Sequence, residues 1–153
     1  MKFKTLLFLL FVSNLSFAYD FMPFDMNTRQ AIEKRYIDQP LIISFWSIDC
    51  PYCINDLKKL GKALSKNTNV KLITVCVDGK ESAIKAERIL NQANLPKHEQ
   101  YQYAEVDEDR LRYNIDPAWY GELPRTYFYD EAHQVTPLSG KISNSFLDKW
   151  FKK

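Results

Sequence analysis

At 153 residues the chain has material for one domain with a substantial core, and its 46% hydrophobic and 26% charged content is that of a soluble globular protein, which excludes a disordered or low-complexity polymer. The formal net charge of +2 and the absence of a concentrated basic face in the sequence argue against a nucleic-acid binder.

The chain opens on Met1-Lys2-Phe3-Lys4, followed by an unbroken apolar run from Leu6 to Val12 and by Ser16-Phe17-Ala18, which puts small residues where a signal peptidase reads. This pattern predicts a secretory signal peptide over 1–18, cleaved after Ala18, because the run is far shorter than the roughly 20 residues that span a bilayer. Cleavage removes Lys2 and Lys4 and no acid, which leaves 19 basic against 19 acidic residues and a neutral mature chain. Residues 19–153 are expected to form a single domain. Tyr19 to Asn27 reads as irregular, and Asn27 or Thr28 is expected to cap a short helix running to Tyr36, with Ile32 and Tyr36 facing a sheet.

Leu41-Ile42-Ile43-Ser44-Phe45-Trp46 is a β-branched and aromatic run with little alternation, as expected of a central strand covered on both faces. It stops at Cys50-Pro51-Tyr52-Cys53. From Ile54 the period changes: Ile54, Leu57, Leu60 and Leu64 recur three to four apart, while Asn55, Lys58, Lys59, Lys62 and Lys66 fill a solvated face, which predicts a helix. Pro51 suits the first helical position, so Cys50 falls at or near the N-cap, where free N–H groups and the positive dipole end favour a thiolate. Cys53, about one turn on, lies within bonding range. A thiolate that attacks a disulfide and a second thiol that resolves the mixed disulfide need this spacing, which assigns Cys50 as nucleophile and Cys53 as resolving thiol. The competing readings are an inert disulfide, a poor staple because its loop is so small, and half of a zinc site. Zinc would need two more ligands, and Cys76, His98 and His133 stand in no paired spacing. No metal and no cofactor are expected.

Val70 to Val77 alternates into a second strand, parallel to the first through a right-handed crossover, and Cys76 within it reads as a small buried hydrophobe. Asp78-Gly79 ends that strand. Glu81 to Asn94 predicts a helix burying Ala86, Ile89, Leu90 and Ala93. Leu95 to Gln100 carries no pattern, and His98 there reads as a surface residue. Tyr101 to Val106 reads as a strand, and Asp107 to Tyr113 as a short helix carrying Leu111. Asn114 to Leu123 is expected to be a loop. Thr126 to Tyr129 and Gln134 to Leu138 read as a hairpin about Asp130-Glu131-Ala132-His133, with Pro137 marking the second strand as an edge. A final helix is expected from Ser143, burying Phe146, Leu147, Trp150 and Phe151.

The segment Phe45-Trp46-Ser47-Ile48-Asp49-Cys50-Pro51-Tyr52-Cys53, with Leu123-Pro124-Arg125-Thr126 far downstream, resembles the thioredoxin-like superfamily, and within it the exported TlpA-type thiol:disulfide oxidoreductases. The resemblance runs from about Asp38 to the C-terminus. It implies an α/β thioredoxin fold with a central mixed β-sheet flanked by helices, and Pro124 cis and facing the cysteines, where the adjoining backbone pairs with substrate. It also implies Trp46 as part of the supporting frame, protein disulfides as substrates, a membrane electron donor of the envelope, and a monomer. The periplasm is the implied compartment and cytochrome c maturation one implied service. Two alternatives share the fold, a disulfide donor and an isomerase, although the chain has no room for an isomerase's dimerisation domain. A third, from another class, is a copper-delivery protein with Cys50 and Cys53 as soft ligands and His133 as the candidate third. The chain departs from the family at three places. Asp49 stands where many relatives have tryptophan, and its carboxylate opposes a Cys50 thiolate. Ser44 replaces the buried acid of thioredoxins. Asp56 stands where TlpA-type relatives place glutamate, able to take the Cys53 proton or serving only as a first-turn acid favoured by the helix dipole.

Overall fold

A computed structural model describes residues 21–104 and 107–152. The signal-peptide expectation over 1–18, and Glu105 and Val106 of the strand expected at Tyr101 to Val106, lie outside the described residues. The elements in chain order are β1 (Met22–Phe24), α1 (Thr28–Arg35), β2 (Leu41–Trp46), α2 (Pro51–Leu64), β3 (Lys71–Cys76), α3 (Ala83–Gln92), β4 (Glu99–Tyr103), α4 (Glu108–Ile115), β5 (Arg125–Tyr129), β6 (Val135–Ser139) and α5 (Asn144–Trp150). A short 3-10 turn, Lys80–Ser82, precedes α3, so the helix expected from Glu81 begins two residues later.

The strands form one mixed sheet in the order β1-β4-β3-β2-β5-β6. β1, β4, β3 and β2 run parallel, β5 runs antiparallel to β2, and β6 antiparallel to β5. Every residue of β2 is buried, which explains why Leu41 to Trp46 shows no polar alternation. Alternate β2 residues feed opposite layers. Leu41, Ile43 and Phe45 face a cluster completed by Ile32 of α1, Leu111 and Ile115 of α4, and Trp119. Phe45 is ringed by Phe24, Tyr103, Trp119 and Tyr127, with centroids 5.3–6.5 Å away in mostly edge-to-face geometry. Ile42 and Trp46 face the other layer. Ile42 packs with Leu60, Leu64, Phe128 and Leu147 between α2 and α5, and Trp46 with Cys53, Leu57, Ala86 and Leu90 between α2 and α3. α2 meets the end of α3 at Gly61, where a Cβ would lie 2.8 Å from the carbonyl oxygens of Ala93 and Asn94, so only glycine allows this approach.

Four expectations are corrected. Tyr19 to Asn27 is not wholly irregular: Met22–Phe24 adds an edge strand beside β4, burying Phe24 completely. β4 starts at Glu99 rather than Tyr101, inside the stretch that carried no pattern. Its Gln100 and Gln102 are buried, and buried glutamines hide the strand's apolar character. His98 is half-buried rather than a surface residue, its ring 3.2 Å from Thr74 Oγ1 and 2.8 Å from the Pro96 carbonyl. The loop expected from Asn114 likewise contains core residues, Ile115 and Trp119, both 5% exposed or less. The other elements match to within a few residues at their ends. Pro137 does sit on an edge strand, opposite Tyr127, and Pro23 sits on the other edge, opposite Gln102.

Candidate active site

The end of β2 and the start of α2 build the site. Cys50 is the N-cap of α2 in an extended conformation, Pro51 is the first helical residue, and Cys50 Sγ accepts a hydrogen bond from the Cys53 N–H at 3.1 Å. The two residues are joined in a disulfide with an S–S distance of 2.08 Å and a Cα–Cα distance of 5.2 Å. They differ in access: Cys50 is half-buried, whereas Cys53 is 1% exposed, sunk against Trp46 and Leu57. Only Cys50 presents a sulfur to an incoming molecule.

Ser47 to Asp49 bridges strand and helix, and Asp78, just beyond β3, holds it. One carboxylate oxygen accepts from the Ser47 hydroxyl at 3.0 Å; the other accepts from the Ile48 N–H at 2.8 Å and from the Cys76 thiol at 3.3 Å. Asp78 was legible only as a strand end, since its partners lie 30 residues away in sequence. Cys76 itself is fully buried, and burial pushes its thiol up to about 12, in keeping with the small-hydrophobe reading.

Leu123-Pro124 is a cis peptide. Phe45 pairs with Arg125 in the antiparallel register, so Pro124 falls opposite Trp46, at the mouth of the site. Leu123 packs on the cluster that contains both cysteines. The Pro124 carbonyl accepts from the Gly140 N–H at 2.8 Å, whereas the Leu123 N–H and C=O bond to no described residue. Arg125 fixes this segment: its guanidinium, on a residue 7% exposed, donates to the Tyr127 hydroxyl at 3.1 Å, to Ser139 Oγ at 2.5 Å and to the Asp116 carboxylate at 2.5 Å.

The two aspartates fall in different surroundings. Asp49 lies at the rim, its side chain 77% exposed and paired with Lys85 at 2.7 Å. Asp56 is 1% exposed. Its carboxylate accepts from the Ile142 N–H at 2.8 Å and from Lys59 Nζ at 3.2 Å, tying α2 to the segment before α5. It follows Cys53 by three residues on the same buried face of α2. Burial raises its pKa above 3.8 against the opposing pull of the Ile142 N–H and Lys59. A carboxyl whose folded value is raised contributes most stability below the ordinary value and loses it as pH climbs through the folded value. Asp56→Asn should therefore gain stability relative to wild type as pH rises above 3.8; urea midpoints measured across a pH series for both proteins check the sign.

His133 lies in the β5–β6 turn beyond Tyr129, which pairs with Leu41. That is the far end of β2 from the cysteines, so His133 is no third ligand for a Cys50–Cys53 copper site. Among the described residues no group of three or more His, Cys, Asp or Glu side chains could hold a metal ion, and no helix is long and apolar enough to cross a membrane.

No protein-family model and no curated protein sequence matches the chain. Solved structures do. The fold is similar to that of a secreted Mycobacterium tuberculosis disulfide oxidoreductase homologous to E. coli DsbE, at 15% identity and TM-score 0.60, covering 75% of this chain and 81% of that one. It is similar to a thiol:disulfide interchange protein of the thioredoxin family from Chlorobium tepidum, at 12% identity and TM-score 0.63, covering 78% and 82%. It is also similar to StoA from Bacillus subtilis, at 18% identity and TM-score 0.53, covering 74% and 82%. At these identities the likeness is one of fold, and the chain has the thioredoxin-like fold.

Proposed function

We propose that the chain is an exported thiol:disulfide oxidoreductase that reduces disulfides of protein clients through Cys50 and Cys53. One observation carries this reading: a half-buried cysteine at a helix N-terminus is bonded to a buried cysteine, beside the unpaired backbone of Leu123. In the reduced protein the Cys50 thiolate, favoured by the free N–H groups of the first turn, attacks one sulfur of the client disulfide. That S–S bond breaks, the leaving client sulfur takes a proton, and a Cys50–client disulfide forms. Cys53 then gives up its proton and attacks Cys50 Sγ, which releases the second client thiol and restores the Cys50–Cys53 disulfide. Two electrons and two protons pass to the client. Asp56, one turn beyond Cys53 and held uncharged more readily by burial, is the acceptor assigned to the Cys53 proton. Leu123-Pro124 serves as the edge along which the client backbone lies. Trp46 closes the apolar floor, and Asp49 with Lys85 forms the outer rim.

The resemblance to exported TlpA-type proteins and the signal-peptide pattern in the sequence of residues 1–18 support a place in the periplasm, with a dithiol donor of the envelope membrane re-reducing the pair. Cytochrome c maturation is the service this reading favours, and the resemblance to the TlpA-type proteins favours a monomer. The test is alkylation of the fully reduced protein over a pH series. Cys50 should react at pH values where an ordinary thiol, with pKa about 8.5, is still protonated. Cys76, pushed up to about 12 by burial, should stay unlabelled in the folded chain. Labelling of Cys76 ahead of Cys50 would overturn the assignment.

A further inference from the structure

We propose that Lys141 gives the site a preference for client cysteines flanked by acidic side chains; this rests on the exchange reading above. Lys141 belongs to the four-residue link between β6 and α5, and both its neighbours are anchored. The Gly140 N–H donates to the Pro124 carbonyl at 2.8 Å. The Ile142 N–H donates to Asp56 at 2.8 Å, and the Ile142 carbonyl accepts from Lys59 Nζ at 2.6 Å. Gly140 adopts φ +80°, a left-handed conformation that suits glycine. This backbone, pinned to the proline on one side and to α2 on the other, delivers the Lys141 ammonium to 4.5 Å from the centre of the Tyr52 ring.

Tyr52 lies between the two cysteines and is 53% exposed. A cation over an exposed aromatic face, set inside the disulfide loop, meets whatever approaches Cys50. The nearby acids have other partners, among them Glu122, which accepts from Ser139 and from the Tyr120 N–H. Asp49 is paired with Lys85 at 2.7 Å, Asp56 is committed to Ile142 and Lys59, and Asp78 to Ser47 and Ile48. Lys141 forms no close ion pair among the described residues; its charge reaches Asp56, whose carboxylate is already bonded to Ile142 and Lys59, and the positive end of α2 adds to it. The Lys141 ammonium thus holds a positive charge over the Tyr52 ring, beside the approach to Cys50. A client strand lying along Leu123 presents the residues beside its cysteine to this ammonium. A carboxylate there forms an ion pair over the ring, whereas a lysine or arginine is repelled.

The probes are two short cysteine peptides, each in mixed disulfide with 2-mercaptoethanol, identical except that the cysteine is flanked by aspartates in one and lysines in the other. A neutral small disulfide serves as reference. Fully reduced wild-type protein should reduce the aspartate peptide roughly two- to fivefold faster than the lysine peptide at low salt, the span an exposed ion pair supplies, and the ratio should shrink in 0.5 M salt, where the screening length is only about 4 Å. In Lys141→Ala the ratio should fall to near one, and in Lys141→Glu it should invert. A wild-type ratio of one, or a ratio unmoved by both substitutions, overturns the role of Lys141 while reduction of the neutral disulfide leaves the exchange chemistry standing. Failure of wild type to reduce the neutral disulfide overturns the exchange reading itself, and this inference with it.

Discussion

A Cys53→Ser variant will hold its clients as covalent adducts, and Cys50→Ser will hold none. The asymmetry follows from access. Cys50 is half-buried at the helix N-cap, whereas Cys53 is 1% exposed beneath it. Without Cys53 the first exchange still occurs, but no second thiol is placed to attack Cys50 Sγ, since Cys76 is fully buried with its thiol donating to Asp78. The mixed disulfide then persists until external thiol removes it. Without Cys50 no nucleophile reaches the surface, and reduction of a protein disulfide falls to the uncatalysed rate. Non-reducing electrophoresis of cell-envelope extracts expressing each variant reads both outcomes. Adducts formed by Cys50→Ser and absent from Cys53→Ser would reverse the assignment of the two thiols.

The next largest effect is expected at Arg125. Its side chain is 9% exposed and that of Asp116 19%, with 2.5 Å between guanidinium and carboxylate. Arg125→Ala leaves Asp116, the Tyr127 hydroxyl and Ser139 without their shared donor, and breaking a pair this enclosed costs about 3 kcal/mol, or roughly 10 °C in Tm for a domain of this size. Arg125→Lys should fall between, because a single ammonium cannot bond three acceptors at once. The acid limb carries a second signature. Burial would raise the Asp116 pKa, but the Ala118 N–H, Arg125 and Tyr127 together outweigh it and hold the carboxyl below 3.8. A carboxyl with a depressed folded value contributes stability above its ordinary value and loses it as pH falls through the folded value. Wild type should accordingly lose stability on acidification below 3.8 more steeply than Arg125→Ala. Denaturant midpoints at neutral and acid pH test both statements, and equal stability of Arg125→Ala and wild type at neutral pH would show the network to be dispensable.

What the sequence made legible follows from the range of the interactions involved. β2, α2 and the Cys50–Cys53 pair were readable because local period and capping decide them: a β-branched run, then a proline at the first helical position. The hairpin of β5 and β6 was readable from its turn residues and Pro137. β1 was not, because Met22-Pro23-Phe24 is too short to show alternation and becomes a strand only by pairing with β4. The strand at Tyr101 was readable, but the start of β4 at Glu99 and Gln100 was hidden, because Gln100 is buried by its neighbours on the sheet rather than by its own character. At the site, the nature of Asp49 and Asp56 could be named but not their partners. Lys85 and Ile142 reach them from 36 and 86 residues away, and Asp78 bonds to Ile48 across 30. Pairings at that distance are fixed by topology. A carboxylate after a strand, such as Asp78 following Cys76, was the available signal that a brace existed.

The placement of two prolines bears on how the chain avoids its own kind. Pro23 and Pro137 lie on the two outermost strands, β1 and β6. A proline offers no amide hydrogen to a passing chain, and both strands are short, at three and five residues. Such borders are poor templates for aggregation. Leu123, packed on the cluster that contains both cysteines, also leaves its N–H and C=O without a partner among the described residues. On the exchange reading proposed above, an extended client that joins as a guest strand is directed away from the flanks, where pairing would breed polymers, and toward the cysteines.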